Sequence, residues 1–233
     1  MAQSSKPMRP LSELLNTQDS GWPLVLGWQK HAKNKVEILP RDAAKAPTAL
    51  LQTQVTTRSP MGAIVYESGG ILVDNGWLRI LGSGHDRLNR SLPEWNKGKT
   101  FQEYGEAPSY LLVADDVVGG FFAVNGGALG PDLGKLYYFA PDELTWEPLD
   151  LSYSQFIEWC FSGDISRFYS SMRWKGWQQE TSQLNGNTGL SFYPFLWTKE
   201  GAVETSSRQP VPVAELWTFQ MDAAQRQKPS EEK

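Results

Sequence analysis

The sequence contains few of the residues that build reactive thiol or zinc sites. Among 233 residues it has one cysteine and two histidines, and it has no short His-x-x-His or Cys-x-x-Cys pair. A catalytic zinc ion commonly has three protein ligands, so we expect no zinc site and no other cofactor. Cys160 cannot form an internal disulfide, and a lone thiol is typical of proteins in a reducing compartment.

Long apolar runs and an excess of positive charge are also missing. No run approaches the roughly 18 apolar residues of a membrane-spanning helix. The first ten residues, MAQSSKPMRP, include no apolar segment, so we expect no signal peptide and a cytoplasmic protein. Lysine and arginine number 22 against 26 acidic residues, which gives a net charge of -4. This balance predicts no general attraction to nucleic acid or to a membrane surface.

Aromatic residues, in contrast, are abundant, with ten Trp, ten Phe and eight Tyr. In the middle of the chain many of them lie in short apolar runs separated by glycine pairs, by Asn75-Gly76 or by Pro141-Asp142. Regular turn residues between apolar runs predict an antiparallel meander, since Asn-Gly favours the positive φ angles of a hairpin turn. The predicted strands are VEILP (36–40), three runs within 61–84, two within 110–127, two within 134–149 and a last candidate within 190–197.

Helices are predicted on both sides of this meander. Ser152 and Gln155 have capping-box spacing, and apolar residues then recur at helical spacing from Tyr153 and again from Ile165. The predicted fold is a single α+β domain over 9–224, with a curved, mostly antiparallel sheet flanked by helices. Residues 1–8 are predicted to be disordered, and 225–233 to be a solvated tail. Other predicted helices are two within 9–34, one within 41–54 that begins or breaks at Pro47, one within 91–98 and a last one from about Val213.

Three segments in succession resemble a bacterial family known only as a domain of unknown function. They are ADDVVGGFFAVNGG (114–127), YYFAPDELTWEPL (137–149) and YSQFIEWCFSGDISRFY (153–169). The resemblance covers about residues 9–220 and implies no activity. The pattern at 121–127, followed by strands and then helices, is more distantly similar to the SUKH superfamily. That likeness implies a curved sheet packed by helices and, from its immunity proteins, a role in neutralising a toxin by binding it.

The segment GSGHD (82–86) is the part of the sequence most suggestive of catalysis, with Ser83, His85 and Asp86 as candidate residues. The spacing differs from the Gly-x-Ser-x-Gly of a nucleophile elbow, and the residues of a triad normally come together from distant positions. A polar turn is the alternative interpretation.

Asp115 and Asp116 are the candidate oxygen ligands for Mg²⁺ or Ca²⁺. Neighbouring strand residues point to opposite faces of a sheet, so the two carboxylates would converge only in a loop. Their alternative role is structural, as acceptors of backbone N–H groups near a glycine turn. Cys160 lies on the apolar face of its predicted helix beside Phe156 and Ile157, which favours a buried small hydrophobe over a nucleophile.

The basic and aromatic stretch SRFYSSMRWKGW (166–177) supplies the candidate binding residues Arg173, Trp174 and Trp177. Cations interleaved with aromatic rings are typical of surfaces that stack on bases, although an aromatic helix end with ordinary surface charges has the same composition. A second feature is Asn125-Gly126-Gly127. We predict a conformationally demanding turn there that places FFAV (121–124) beside LYYFA (136–140).

These observations favour a binding protein over an enzyme, because little catalytic chemistry is assembled in the sequence. Its most specific form is an immunity-like protein that binds and neutralises a toxin. Two alternatives stay open, a hydrolase that uses GSGHD and a self-associating structural or regulatory subunit. The sequence identifies neither the protein partner nor the oligomeric state.

Overall fold

The computed structural model of the chain describes residues 7–227. Seven strands form one sheet in which each strand lies beside the next one in sequence, and all six neighbouring pairs are antiparallel. This order confirms the predicted meander. The strands are β1 (Val36–Leu39), β2 (Gly70–Val73), β3 (Leu78–Leu81), β4 (Tyr110–Asp116), β5 (Phe121–Asn125), β6 (Lys135–Ala140) and β7 (Thr145–Ser152).

Two more strands, β8 (Thr188–Tyr193) and β9 (Ser207–Pro212), form an antiparallel ribbon of their own. The sequence analysis predicts β8 but not β9, because Pro210 and Pro212 lack the N–H that a strand inside a sheet must donate. β9 pairs only with β8 within the described chain, so its outer edge tolerates both prolines.

Helices precede, interrupt and follow the sheet, which confirms the α+β class. The capping box is present at the start of α6, where the side chain of Ser152 and that of Gln155 each bond the other's backbone N–H. The helices of the described chain are α1 (Leu11–Leu14), α2 (Trp22–Lys30), α3 (Lys45–Thr53), α4 (Pro60–Glu67), α5 (Leu92–Asn96), α6 (Tyr153–Ser162), α7 (Ile165–Phe168), α8 (Trp177–Thr181) and α9 (Val213–Gln227).

Helix α4 corrects the first of the three strands predicted within 61–84. Its apolar residues are buried all round, so the run carries no helical periodicity by which to tell it from a buried strand. The start signal lies just before the run. Pro60 occupies the first helical turn, and the Ser59 side chain accepts a hydrogen bond from the Gly62 N–H.

The hairpin between β2 and β3 forms where Asn75-Gly76 predicts it, and both residues have positive φ angles of 61° and 83°. Asp74 also has a positive φ, 51°, and Val73 pairs with Leu78. The connection therefore has four residues rather than the two of the shortest hairpin turn.

The predicted pairing of FFAV with LYYFA is confirmed, since β5 and β6 pair from Phe121 with Phe139 to Val124 with Leu136. The connection between them is longer than a tight turn. Gly127 has a φ of 119°, and the Asn125 side-chain oxygen accepts the N–H groups of Gly127 and Leu129 at 2.7 and 3.1 Å. Asn125 thus organises the start of this loop.

Aromatic contacts show how helices cover both faces of the sheet. Phe121 points to one face, where its ring centroid lies 4.9 Å from that of Trp217 on α9. Its neighbour Phe122 points to the other face, where its ring centroid lies 4.9 Å from that of Phe156 on α6. The sheet is therefore the middle layer of the core.

The C-terminal helix continues further than predicted. Residues 225–227 of the predicted tail belong to α9, and their side chains are exposed. The rest of that tail, 228–233, and residues 1–6 of the predicted disordered N-terminus lie outside the described residues. Among residues 7–227, no helix combines the length and the apolar character that crossing a bilayer requires.

Candidate functional site

The GSGHD segment follows β3, and its serine is part of the core. Ser83 is buried, and its Oγ donates a 2.8 Å hydrogen bond to the carbonyl oxygen of Ser68. Gly82 packs so closely on the neighbouring chain that a Cβ there would lie 2.5 Å from the Gly70 nitrogen. Ser83 therefore joins two backbone segments through its hydroxyl, and the residue is only 2% exposed.

Among the described residues, neither the histidine nor the aspartate of this segment has a hydrogen bond to the serine. His85 is half-buried, and its Nδ1 accepts the backbone N–H of Arg87 at 3.2 Å, while Asp86 is exposed. His85 also pairs through its backbone with Leu88 in an isolated bridge. The structure gives Ser83 and His85 different hydrogen-bond partners and leaves Asp86 exposed, so no hydrogen bond joins the three candidate residues into a catalytic unit.

Asp115 lies on the Phe121 face of β4 and neutralises two arginines. Its Oδ1 accepts from Arg79 Nε at 2.7 Å, and its Oδ2 accepts from Arg90 Nη1 at 2.6 Å. Arg79 and Asp115 are both buried, and Arg79 also donates to the carbonyl oxygens of Thr188 and Asp116. Because both carboxylate oxygens accept from cations, they have little capacity left for a metal ion.

Asp116 lies on the opposite face and accepts four hydrogen bonds. Its Oδ1 accepts the N–H groups of Gly120 and Val118 at 2.7 and 3.1 Å, and its Oδ2 accepts the hydroxyls of Tyr138 and Tyr169 at 2.8 and 3.0 Å. Burial raises the pKa of Asp116, and the hydrogen bonds from Gly120 and Tyr138 oppose that shift. The Asp116 carboxylate therefore links the backbone of the β4–β5 turn to the buried hydroxyls of Tyr138 and Tyr169.

The two aspartates are thus on opposite faces, as the alternation of a strand predicts. Within residues 7–227, no group of three or more His, Cys, Asp or Glu side chains is arranged to hold a metal ion. Cys160 is buried, and burial raises the pKa of its thiol well above the ordinary value. A thiol in that setting is a poor nucleophile.

The candidate binding residues of the basic and aromatic stretch at 166–177 contact other parts of the protein. The Arg173 guanidinium lies 4.0 Å from the ring centroid of Trp177 and 4.9 Å from that of Trp77, and it pairs with Asp74. Trp174 is only 3% exposed, and its Nε1 donates to Glu180 at 2.7 Å. These contacts connect the stretch to the β2–β3 hairpin and leave little ring surface for a partner.

A different set of rings lies at the surface, where the β8–β9 ribbon meets α9. We call Tyr193, Phe195, Trp197 and Phe219 the aromatic patch. Phe195 and Trp197 stack with centroids 4.7 Å apart and planes inclined by 6°, and the Phe219 ring lies 5.0 Å from Phe195. Tyr193 is 69% exposed and Phe219 is 43% exposed. Phe195 and Trp197 are half-buried, so the four rings touch one another and are only partly covered.

The local sequence explains why these rings are not buried. Strand β8 ends at Tyr193, and Pro194 follows it inside the apolar run LSFYPFLW. The aromatic residues after Pro194 therefore lie in a loop and not in the strand. The loop is then fixed by Thr198 Oγ1, which donates to the Phe195 carbonyl at 2.8 Å, and by Ser206 Oγ, which donates to the Pro194 carbonyl at 2.8 Å. The aromatic residues of the loop are thus presented by an ordered backbone.

Beside the aromatic patch lies an open groove of about 370 Å³. Phe195 and Trp197 line it from the loop after β8, and Phe219, Asp222, Ala223 and Arg226 line it from the exposed side of α9. The sequence analysis does not identify this site, because it assigns LSFYPFLW to a strand. The proline inside an aromatic run was the available signal, since a proline lacks the N–H that a central strand must donate.

The sequence profile of a family described as "Protein of unknown function DUF2625" matches residues 11–216. The uncharacterized protein YbfG of Escherichia coli (strain K12) is 47% identical over 213 residues, which cover 91% of this chain and 96% of YbfG. An uncharacterized protein of Haemophilus influenzae is 42% identical over 221 residues, 95% of this chain and 96% of that protein. No solved structure matches the chain at a significant level.

Proposed function

The chain belongs to the DUF2625 family, and for this member we propose a non-enzymatic function: it binds another protein chain through the aromatic patch. The observation that carries the proposal is the contact of the four rings at the surface, with Tyr193 and Phe219 at 69% and 43% exposure. Contiguous exposed apolar surface of this kind marks interaction sites more often than scattered single residues do.

The chemistry of the patch suits a protein interface. Tyrosine and tryptophan supply large apolar area at low cost in side-chain entropy, and they are enriched among the residues that dominate binding energy. The groove of about 370 Å³ beside the patch can accept side chains of a partner. Asp222 and Arg226 border it with charge of both signs, which allows ion pairs with a partner of complementary charge.

The hydrolase alternative has less support than binding, because Ser83 and His85 bond to different partners and not to each other. Ser83 Oγ donates to the Ser68 carbonyl, and His85 Nδ1 accepts from Arg87. A serine nucleophile requires a base within hydrogen-bond reach of its hydroxyl, and here that hydroxyl faces a carbonyl.

We consider two classes of partner, and we propose that either one would bind at the aromatic patch. The distant SUKH resemblance favours an immunity-like protein in the cytoplasm, with a toxin as the partner. The self-associating alternative makes the partner a second copy of this chain. In either case we propose that Tyr193 and Phe219 contribute more to binding than other exposed apolar residues, such as Leu133.

Serine substitutions in the patch test this proposal. Tyr193→Ser and Phe219→Ser remove exposed rings, and Leu133→Ser is the matched control because Leu133 is 70% exposed in the β5–β6 loop. Each tagged variant is followed by gel filtration of an undiluted extract from the cells that produce the protein. We expect the native protein and the Leu133 variant to elute as a complex, and the two patch variants to elute as single chains. Identical elution of all four proteins would contradict the proposal.

A further inference from the structure

We propose that the surface formed by the aromatic patch and α9 is a homodimer interface, in which α9 packs antiparallel against α9 of a second copy around a two-fold axis. This inference rests on the proposed function, because it names the partner that the aromatic patch binds. It follows from how charged, small and aromatic residues are arranged on the exposed side of α9.

Four residues of α9 form one stripe along the groove. Phe219, Asp222, Ala223 and Arg226 are spaced i, i+3, i+4 and i+7, and all four border the groove. Asp222 and Arg226 are exposed, and within residues 7–227 neither takes part in an ion pair. Both charges are therefore available to a partner.

A two-fold interface requires a surface that is complementary to itself. If two α9 helices run antiparallel with the axis near Ala223, Asp222 of each copy lies beside Arg226 of the other. One interface then contains two ion pairs, while a parallel arrangement would place like charges together. Ala223 has a small side chain at the centre of the stripe, which allows the helix axes to approach closely.

The rings complete the same arrangement. Phe219 lies one turn before Asp222, so in the antiparallel pair it faces the end of the second helix at Arg226, where a guanidinium can cover an aromatic face. Phe195 and Trp197 stand beside Phe219 with ring centroids 5.0 and 5.6 Å away. The second copy would then cover rings that are open to solvent in the single chain.

Charge reversal tests this geometry in the full chain. Sedimentation velocity over a wide concentration range gives the dissociation constant for the native protein, for Asp222→Arg, for Arg226→Asp and for the double variant that exchanges the two charges. We expect the native mass to approach twice 26.1 kDa as concentration rises. Each single reversal should weaken dimerisation at least about tenfold, and the exchange should restore it to within about threefold.

Glu158→Arg, on the exposed side of α6, is the control for a change in net charge and should leave the dissociation constant unchanged. A native protein that stays monomeric, a dimer insensitive to the single reversals, or a double variant no better than either single one would overturn the inference. One combination of results would overturn only the homodimer: the purified native protein is a monomer, but in cell extracts it elutes as a complex that Phe219→Ser abolishes. The proposed binding function would then stand, with a different protein as the partner.

Discussion

Asp115 and Asp116 are neighbours in β4, yet the sheet separates their carboxylates: Asp115 accepts from Arg79 and Arg90, and Asp116 accepts from Tyr138 and Tyr169. The pair therefore stabilises both layers of the core from one position in the chain. Each carboxylate affects the free energy of unfolding in a different way: Asp115 by neutralising buried cations, and Asp116 by accepting from buried tyrosines.

Asp115→Asn should destabilise the protein by about 3–5 kcal/mol, because it leaves Arg79 buried without its counter-charge. The measurement is the free energy of unfolding from urea denaturation. Glu37→Gln is the matched control, since the Glu37–Arg87 pair is about half exposed and should contribute less than about 1 kcal/mol. Equal effects of the two substitutions on the free energy of unfolding would contradict the structural role of Asp115. A higher melting temperature of the native protein on addition of Mg²⁺ or Ca²⁺ would also contradict it, because it would favour a metal-binding role.

The tyrosines bonded to Asp116 should make the protein sensitive to alkaline pH. Burial, followed by the Asp116 charge, raises the pKa of Tyr138 and Tyr169 well above 10. Above about pH 10 the unfolded chain loses phenolic protons that the folded chain keeps, so the free energy of unfolding must fall as pH rises. The variant with phenylalanine at both positions should be less stable at neutral pH and should lose stability less steeply above pH 10. Parallel alkaline slopes in the two proteins would count against this explanation.

Glycine-to-alanine substitutions at 126 and 127 should both destabilise, for different reasons. A Cβ on Gly126 would lie 2.3 Å from the Pro108 carbonyl oxygen, so the backbone must move. Gly127 has space but a φ of 119°, a conformation that L-residues rarely adopt and that costs them about 1–3 kcal/mol. We expect Gly126→Ala to have the larger effect on the free energy of unfolding. Unchanged stability in both variants would remove the structural explanation of these glycines.

Ser83 should not react with a fluorophosphonate probe for serine hydrolases, because its hydroxyl is buried and bonded to the Ser68 carbonyl. Peptide mass spectrometry of the labelled protein locates any adduct. An adduct on Ser83 that is lost in His85→Ala, with folding intact by circular dichroism, would restore the hydrolase alternative.

Much of the fold could be predicted from local signals. Asn75-Gly76 predicts the β2–β3 hairpin, and Ser152 with Gln155 predicts the start of α6, because each signal is carried by residues close together in sequence. The α4 segment could not be identified in this way. Its apolar run is buried on every side and has no helical periodicity, so within the run itself nothing distinguishes a helix from a strand, and the start signal of Ser59 and Pro60 lies outside it.

The candidate site was less predictable, because exposure depends on residues distant in sequence. Trp174 and Arg173 have the composition of a binding surface, but Trp77, about a hundred residues earlier, packs against both. Phe219 and Phe195 come together only when α9 docks beside the loop after β8. No spacing within either segment predicts that contact.

The most direct test of the binding face is photo-crosslinking of the assembled protein. The photoreactive residue p-benzoylphenylalanine is introduced at Phe219 or, as the control, at Leu133, which is also exposed but lies in the β5–β6 loop. After irradiation of living cells that produce the protein, we expect one discrete crosslinked product from position 219 and none from position 133. A second copy would give a product of twice the chain mass, and a different partner would give another mass. The same products from both positions, or no product from position 219, would contradict the assignment of the aromatic patch as a binding surface.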